Sequence, residues 1–259
     1  MKTALTSLLL AAALALSNFA EAATVLVTGA NRGLGYEFAR QYAVDGWTVI
    51  ATARSLQSAG ELKALAAAHP KVRLEALDIT DQKSIAALAQ RLAGQPIDVL
   101  INNAGVLGDL DGQTLGTFKY DTFRDVMMVN TYGALALSEA LLKNVLASEQ
   151  KKIVAVTSGA GIVSRAQQGG KIYFYSASKV ALNIVMRGLA NDLKSQGVLV
   201  GLVAPSAVDT DMRRELVGDR ASQDLRPEVS IAGMRKVIAG LGASNSGIPL
   251  NYDGQPLPW

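Results

Sequence analysis

From Thr24 onward, short runs of β-branched and aliphatic residues alternate with longer stretches in which apolar residues recur every three or four positions. The runs at Thr24–Thr28, Thr48–Thr52, Val72–Leu77, Val99–Ile101, Ile153–Thr157 and Val198–Val203 are bounded by turn residues and predict buried strands. Between them, helical periodicity predicts helices over Leu34–Val44, Ser58–Ala68, Ser84–Leu92, Thr122–Leu146 and Tyr175–Ser195. In the last of these, Val180, Ile184, Val185 and Leu189 share helical spacing and no proline interrupts them. Unbroken apolar strands are covered on both faces, so the alternation predicts an α/β fold: one doubly wound parallel sheet of Rossmann type with helices on both sides. Three glycine- and polar-rich stretches, Val106–Thr117, Gly159–Gly170 and Pro205–Pro227, follow successive later strands. They are expected to overhang the carboxyl edge of the sheet, where open α/β sheets bind ligands.

The first 22 residues break this pattern. Lys2 gives a positive start, Ala4 to Leu16 is an apolar run too short to span a bilayer, and Ala20-Glu21-Ala22 places small residues before a cut. The segment reads as a secretory signal peptide, with the mature chain beginning at Ala23 in the periplasm or outside the cell and no stable membrane anchor left after cleavage. An uncleaved anchor, or a misplaced start and a cytoplasmic chain, are the alternatives. No repeat or linker divides residues 23–259, which read as one domain.

Composition narrows the chemistry. Hydrophobic residues make up 49% and charged residues 18%, which suits a packed globule. The net charge is +3, and no basic run exceeds Lys151-Lys152 or Arg213-Arg214, so solvated faces are a better reading than a nucleic-acid surface. Without cysteine there are no disulfides, thiolate metal sites or cysteine nucleophiles. The single histidine, His69, sits where a helix should end, which removes Ser-His-Asp triads and His-rich metal sites.

Two constellations carry chemistry. Tyr175 and Lys179 stand four positions apart on the last predicted helix and so share one face. An ammonium beside a phenol favours phenolate, so Lys179 is expected to lower the Tyr175 pKa and fit it for passing a proton to or from a carbonyl or alcohol oxygen. The first predicted strand runs directly into Thr28-Gly29-Ala30-Asn31-Arg32-Gly33-Leu34-Gly35 and then a helix. Glycines at 29, 33 and 35 allow a tight turn, close approach of a pyrophosphate to backbone N–H groups and close helix–strand packing. The spacing differs from G-x-G-x-x-G, and no Lys-Ser/Thr pair follows to make a Walker A loop.

Together with Asn102-Asn103-Ala104-Gly105 after the fourth strand, Asn130, and Ser158 after the fifth, these residues resemble the short-chain dehydrogenase/reductase family over nearly all of residues 24–259. The closing Asn251-Tyr252-Asp253-Gly254-Gln255-Pro256-Leu257-Pro258-Trp259 and the Gly29-Ala30-Asn31-Arg32-Gly33 variant are similar to the branch holding sniffer-type carbonyl reductases and C-factor-like proteins. The resemblance implies a catalytic set of Asn130, Ser158, Tyr175 and Lys179. Ser158 would hold the substrate oxygen, Tyr175 and Lys179 would also contact the cofactor, Lys179 at the nicotinamide ribose, and Asn130 would hold a helix kink and a water relaying protons to Lys179. It implies cofactor contacts from Gly29, Asn31, Arg32, Gly33, Leu34 and Gly35, from Asp78 and Ile79 at the adenine, and from Asn102, Ala104 and Gly105 near the adenosine ribose. Pro205, Val208 and Thr210 would complete the site, with Ser206 standing where the family has glycine and facing the nicotinamide carboxamide end. An acid after the second strand would accept from the ribose 2′-OH of NAD, whereas this chain has Ala53-Arg54-Ser55, and Arg54 with Arg32 suits a 2′-phosphate. NADP is therefore expected over NAD.

The substrate is expected to be a small carbonyl or alcohol. Ile162, Val163, Tyr173, Phe174 and Met212 could line an apolar pocket or serve as packing, while Arg165 and Lys171 could meet an acidic substrate or only water. Ser158 does not fit a hydrolase elbow, because Val156 rather than glycine lies two positions before it. A homodimer is a family-level expectation. A second reading, an exported dinucleotide-binding signalling protein with little turnover, is suggested by the leader and the C-factor-like ending.

Overall fold

The computed structural model describes residues 22–164 and 170–258. The expected leader, apart from Ala22, and Arg165 lie outside the described residues. Seven parallel strands form one sheet in the order β3-β2-β1-β4-β5-β6-β7. They are β1 Thr24–Val27, β2 Thr48–Ala53, β3 Val72–Ala76, β4 Val99–Asn102, β5 Lys152–Val156, β6 Leu199–Ala204 and β7 Pro249–Asn251. The order reverses between β1 and β4, which opens a crevice beyond their carboxyl ends.

Successive strand side chains point to opposite faces, and the sheet thereby feeds two cores. Val25 and Val27 of β1 pack with Phe38 and Tyr42 of helix α1 (Gly33–Val44) and with Ile231 and Met234 of a C-terminal helix. Leu26, between them, enters the opposite core with Leu100, Ile153, Leu137 and Leu182. Each of these side chains is at most 3% exposed, which is why the strands read as continuous apolar runs rather than alternating ones.

The remaining helices are α2 (Gly60–Ala68), α3 (Gln82–Arg91), α4 (Tyr120–Met127), α5 (Gly133–Ala140), α6 (Leu142–Leu146), α7 (Tyr173–Leu193), α8 (Asp211–Val217) and α9 (Pro227–Ala239). The helix expected over Thr122–Leu146 is broken. A π-helical turn, Met128–Tyr132, separates α4 from α5, and a second break at Leu141 precedes α6. Part of the polar-rich stretch after β6, where no helix is expected, folds as α8 beside the crevice. Helix α9 carried a readable signal: proline at its first position and Ile231, Met234 and Ile238 buried at helical spacing. Strand β7 is three residues long and begins with Pro249, too short to stand out as a run.

Candidate active site

A cleft of about 1420 Å³ lies along the carboxyl edge of the sheet, lined by residues at or just beyond the ends of all seven strands. It exceeds the size of a drug-sized pocket and can hold a dinucleotide with a small second molecule. All three overhanging stretches contribute walls, through Val106 to Asp109, through Gly159, Ala160 and Ile162, and through Pro205 to Val208 and Thr210 to Arg213.

At one end, β1 turns through Gly29, whose φ of +63° favours glycine. A Cβ on Gly35 would run into the Gly29 carbonyl oxygen and into Asn103 Nδ2 at 2.5 Å, so helix α1 can approach the loop only because residue 35 is bare. Arg32 precedes α1 and supplies no side-chain cap, which leaves the first N–H groups of the helix facing the loop. These features fit a pyrophosphate. Thr28 ties the loop to β4: its Oγ1 accepts from Asn103 N and Ala104 N, both at 2.9 Å.

Asn31, Arg32, Gly33, Leu34, Arg54, Asp78, Ile79, Ala104 and Gly105 all line this cleft. Arg32 and Arg54 are exposed on its rim. The carboxyl of Asp78 accepts from Thr80 N at 2.9 Å and Thr80 Oγ1 at 2.6 Å. Those bonds, with Arg54 adding to them, hold its pKa below the usual carboxylate range. Asn102 is a correction. Its side chain is buried and donates to Ser138 Oγ at 3.0 Å, on the far side of the strand from the cleft. Asn103 takes the facing position and donates through Nδ2 to Thr28 O at 2.8 Å. The motif names both asparagines, and only the strand's pleat decides which one faces the ligand.

At the other end, Ser158, Tyr175 and Lys179 share one wall. The Ser158 Oγ accepts from Ala160 N at 3.1 Å, which fixes the hydroxyl at the mouth of a 3₁₀ turn, Gly159–Gly161. Lys179 is 4% exposed; its Nζ donates to Val156 O at 2.9 Å and lies 5.7 Å from the centre of the Tyr175 ring. Burial without a carboxylate partner pushes its pKa down to about 8. The expectation that Lys179 lowers the Tyr175 pKa does not hold in this chain. Burial raises the phenol, and the opposing influence is the Ser158 hydroxyl. The ammonium is directed at the Val156 carbonyl oxygen, and burial outweighs any lowering of the phenol.

Asn130 sits at the centre of the π turn and is 1% exposed. Its Oδ1 accepts from Val106 N at 2.8 Å, and its Nδ2 donates to Val106 O at 2.9 Å and Ser178 Oγ at 3.0 Å. It stands behind Gly105, where an added Cβ would lie 3.3 Å from Asn130 Oδ1 and 3.7 Å from Lys179 Nζ. A π turn stands where the resemblance implies a kink, and a side chain at 105 would crowd Asn130 Oδ1.

Pro205, Val208 and Thr210 follow β6. Pro205 O accepts from Ser230 Oγ at 2.7 Å, Val208 is buried, and Thr210 caps α8 through Oγ1 to Arg213 N at 3.3 Å. Ser206 adopts φ +68°, a left-handed conformation that costs a non-glycine residue of order 1 kcal/mol or more. Of the five apolar pocket candidates, Ile162, Tyr173 and Met212 line the cleft. Val163 is 60% exposed, and Phe174 packs instead on Phe118 and Phe123.

A glycine-lined loop at a parallel-sheet crossover, with a hydroxyl pair and a buried lysine across the same cleft, defines a nucleotide-binding oxidoreductase fold. The chain belongs to the short chain dehydrogenase family, whose sequence model matches residues 23–221. It is 36% identical over 238 residues to 1-hydroxy-2-glutathionyl-2-methyl-3-butene dehydrogenase of Rhodococcus sp. (strain AD45), an alignment covering 91% of this chain and 99% of that one. It is 35% identical over 173 residues to the C-signal protein of Myxococcus xanthus, covering 67% of this chain and 99% of the relative. Among solved structures, the NADPH-bound carbonyl reductase from chicken fatty liver superposes with a TM-score of 0.82 at 32% identity, covering 92% of this chain and all of the other.

Proposed function

We propose that this chain is an NADP(H)-dependent carbonyl reductase, or alcohol dehydrogenase in the reverse direction, with Tyr175 as general acid and base. The observation that carries the reading is the convergence of Ser158, Tyr175 and Lys179 on one wall of a cleft whose far end is the glycine loop. NADPH, held in this cleft, would supply the hydride for the carbonyl carbon. Ser158 holds the carbonyl oxygen through its hydroxyl, which can donate and accept without titrating. Tyr175 delivers the proton to that oxygen, completing the alcohol. Its raised pKa keeps it protonated at neutral pH, which suits a proton donor.

Lys179 would hold the nicotinamide ribose, and Asn130 would keep the wall around it bent. Arg54 and Arg32 would hold the 2′-phosphate, and the N–H groups from Gly29 to Gly35 the pyrophosphate. Asp78 and Ile79 would border the adenine, Ala104 and Gly105 its ribose, and Pro205, Val208 and Thr210 the carboxamide side. The NADPH named for the chicken carbonyl reductase supports NADP as the cofactor.

Replacing Tyr175 with Phe keeps the ring and removes only the transferable proton. Turnover of an accepted aldehyde, ketone or quinone should fall about 10²–10⁴-fold. NADPH binding, read by nicotinamide fluorescence, should change little. Activity within a few-fold of the parent would remove Tyr175 from the reaction.

The likeness to C-signal supports a second reading, an exported nucleotide-binding signalling protein with little turnover. It predicts NADP binding without NADPH consumption across a carbonyl panel. Under either reading we propose that residues 1–22 direct export and that the mature chain starts at Ala23. Amino-terminal sequencing of fractionated native protein should find Ala23 outside the cytoplasm, and recovery of Met1 in the cytoplasmic fraction would contradict it.

A further inference from the structure

The polar side chain that does most to fix the site is in none of the motifs. Gln113 follows β4 by eleven positions, in the loop that forms one cleft wall, and is 0% exposed. Its Oε1 accepts from the backbone N–H groups of Phe174 and Tyr175, both at 3.0 Å. Its Nε2 donates to Leu107 O at 2.9 Å and to Asp109 O at 3.4 Å. Both donors and both acceptor positions of the amide are therefore occupied.

The two N–H groups belong to the first turn of α7, where Ile172, the residue before the helix, offers no side-chain cap. Gln113 thus caps the helix from about sixty residues away, and one of the groups it holds is the N–H of Tyr175 itself. Leu107 and Asp109, on the amide's other side, line the cleft, as do Ile172 and Tyr173. One side chain joins the wall beside the substrate space to the backbone of the proposed proton donor.

We propose that Gln113 is a positioning residue: it sets the height and tilt of Tyr175 relative to Ser158 and to the wall at Leu107 to Asp109. The inference rests on Tyr175 as proton donor for its effect on turnover, but the contact can be read without turnover. If α7 lost this cap, its first turn would fray, and the phenol would move while the glycine loop at the far end of the cleft stayed in place. The signature is therefore a fall in kcat and a displaced phenol titration with cofactor affinity preserved.

Two variants test it. Gln113→Leu keeps the approximate volume and removes all four hydrogen bonds. Its kcat should fall about ten-fold or more with NADPH affinity within about two-fold of the parent. Gln113→Glu with a protonated carboxyl can accept from the two N–H groups and donate to Leu107 O, as the amide does. Near pH 6 its kcat should return to within about three-fold of the parent, and it should fall at higher pH as carboxylate oxygen meets carbonyl oxygen. Ultraviolet difference titration, subtracting the Tyr175→Phe version of each background, reads the phenol directly. Its midpoint should differ between Gln113→Leu and the parent, because the phenol no longer keeps its place beside Ser158.

An unchanged phenol midpoint in Gln113→Leu would overturn the proposal, as would a loss of kcat that only tracks equal losses in NADPH affinity and melting temperature. If Gln113→Leu does not fold, the pH profile of Gln113→Glu decides, and a profile parallel to the parent's counts against the proposal. If the parent turns over no carbonyl substrate, the proton-donor reading fails, and the phenol midpoint alone then supports or overturns the Gln113 contact.

Discussion

Lys179 shows at the scale of one residue how a site can be held against its own stability. Its ammonium is buried with only a carbonyl oxygen to receive it, and its pKa of about 8 lies well under the ~10.4 of a free lysine. Between those values the folded chain binds fewer protons than the unfolded chain, so stability rises with pH across that window. Below about pH 8 the cost of charging the buried group is fully present. Lys179→Met should accordingly stabilise the protein at pH 7 by roughly 2–3 kcal/mol, with the gain shrinking towards pH 10. Urea unfolding of both forms at the two pH values checks this, and a difference independent of pH would show that the lysine's charge is not the cause. The same variant should lose activity. Ser206 is a second strained position, where a φ of +68° is carried by a residue with a Cβ.

Among elements, the helical run from Tyr120 to Leu146 departs most from expectation. Nothing in Met127-Met128-Val129-Asn130-Thr131-Tyr132 locally forbids a regular helix, and its apolar spacing continues unbroken. The π turn is set from outside, by Val106 on the β4 loop and Ser178 on α7, both hydrogen-bonded to Asn130. Thr131 Oγ1 adds a bond to Ser178 O at 2.9 Å. Asn130→Ala leaves the Val106 amide and carbonyl without partners, which should cost about 2–3 kcal/mol. For a chain of this size that lowers the melting temperature by roughly 5–10 °C. Calorimetry showing a shift under about 2 °C would mean that the turn is held by something else.

For the whole molecule, ligand binding and folding are linked, because the cleft is built from the carboxyl ends of the strands of one sheet. A ligand present at about 100 times its Kd stabilises the folded state by about 2.7 kcal/mol, here roughly 5–10 °C. NADP should give that shift at a concentration where NAD gives much less, since Arg54 and Arg32 stand on the rim where a 2′-phosphate would lie. Arg54→Ala should weaken NADP by about 1–3 kcal/mol and leave NAD unchanged. Equal losses for both cofactors, measured by calorimetric titration, would remove Arg54 from the choice.

The sequence by itself determined six of the seven strands and the presence of helices on both faces, because strands buried on both sides must be continuous apolar runs and surface helices must repeat every three to four residues. The glycine loop and the four-residue spacing of Tyr175 and Lys179 were legible as short motifs, while Asn130 and Ser158 were expected only through the resemblance to a family. Only the tertiary structure decided that Asn103 rather than Asn102 faces the cleft, and that Lys179 is directed at Val156 O rather than at the phenol. Only it revealed that Gln113 caps the helix of Tyr175. These contacts join residues distant along the chain, and a hydrogen bond across 23 or 62 positions leaves no period in the sequence. Local pattern specifies which elements form, while the direction and charge of a buried polar group depend on whatever neighbour folding brings to it.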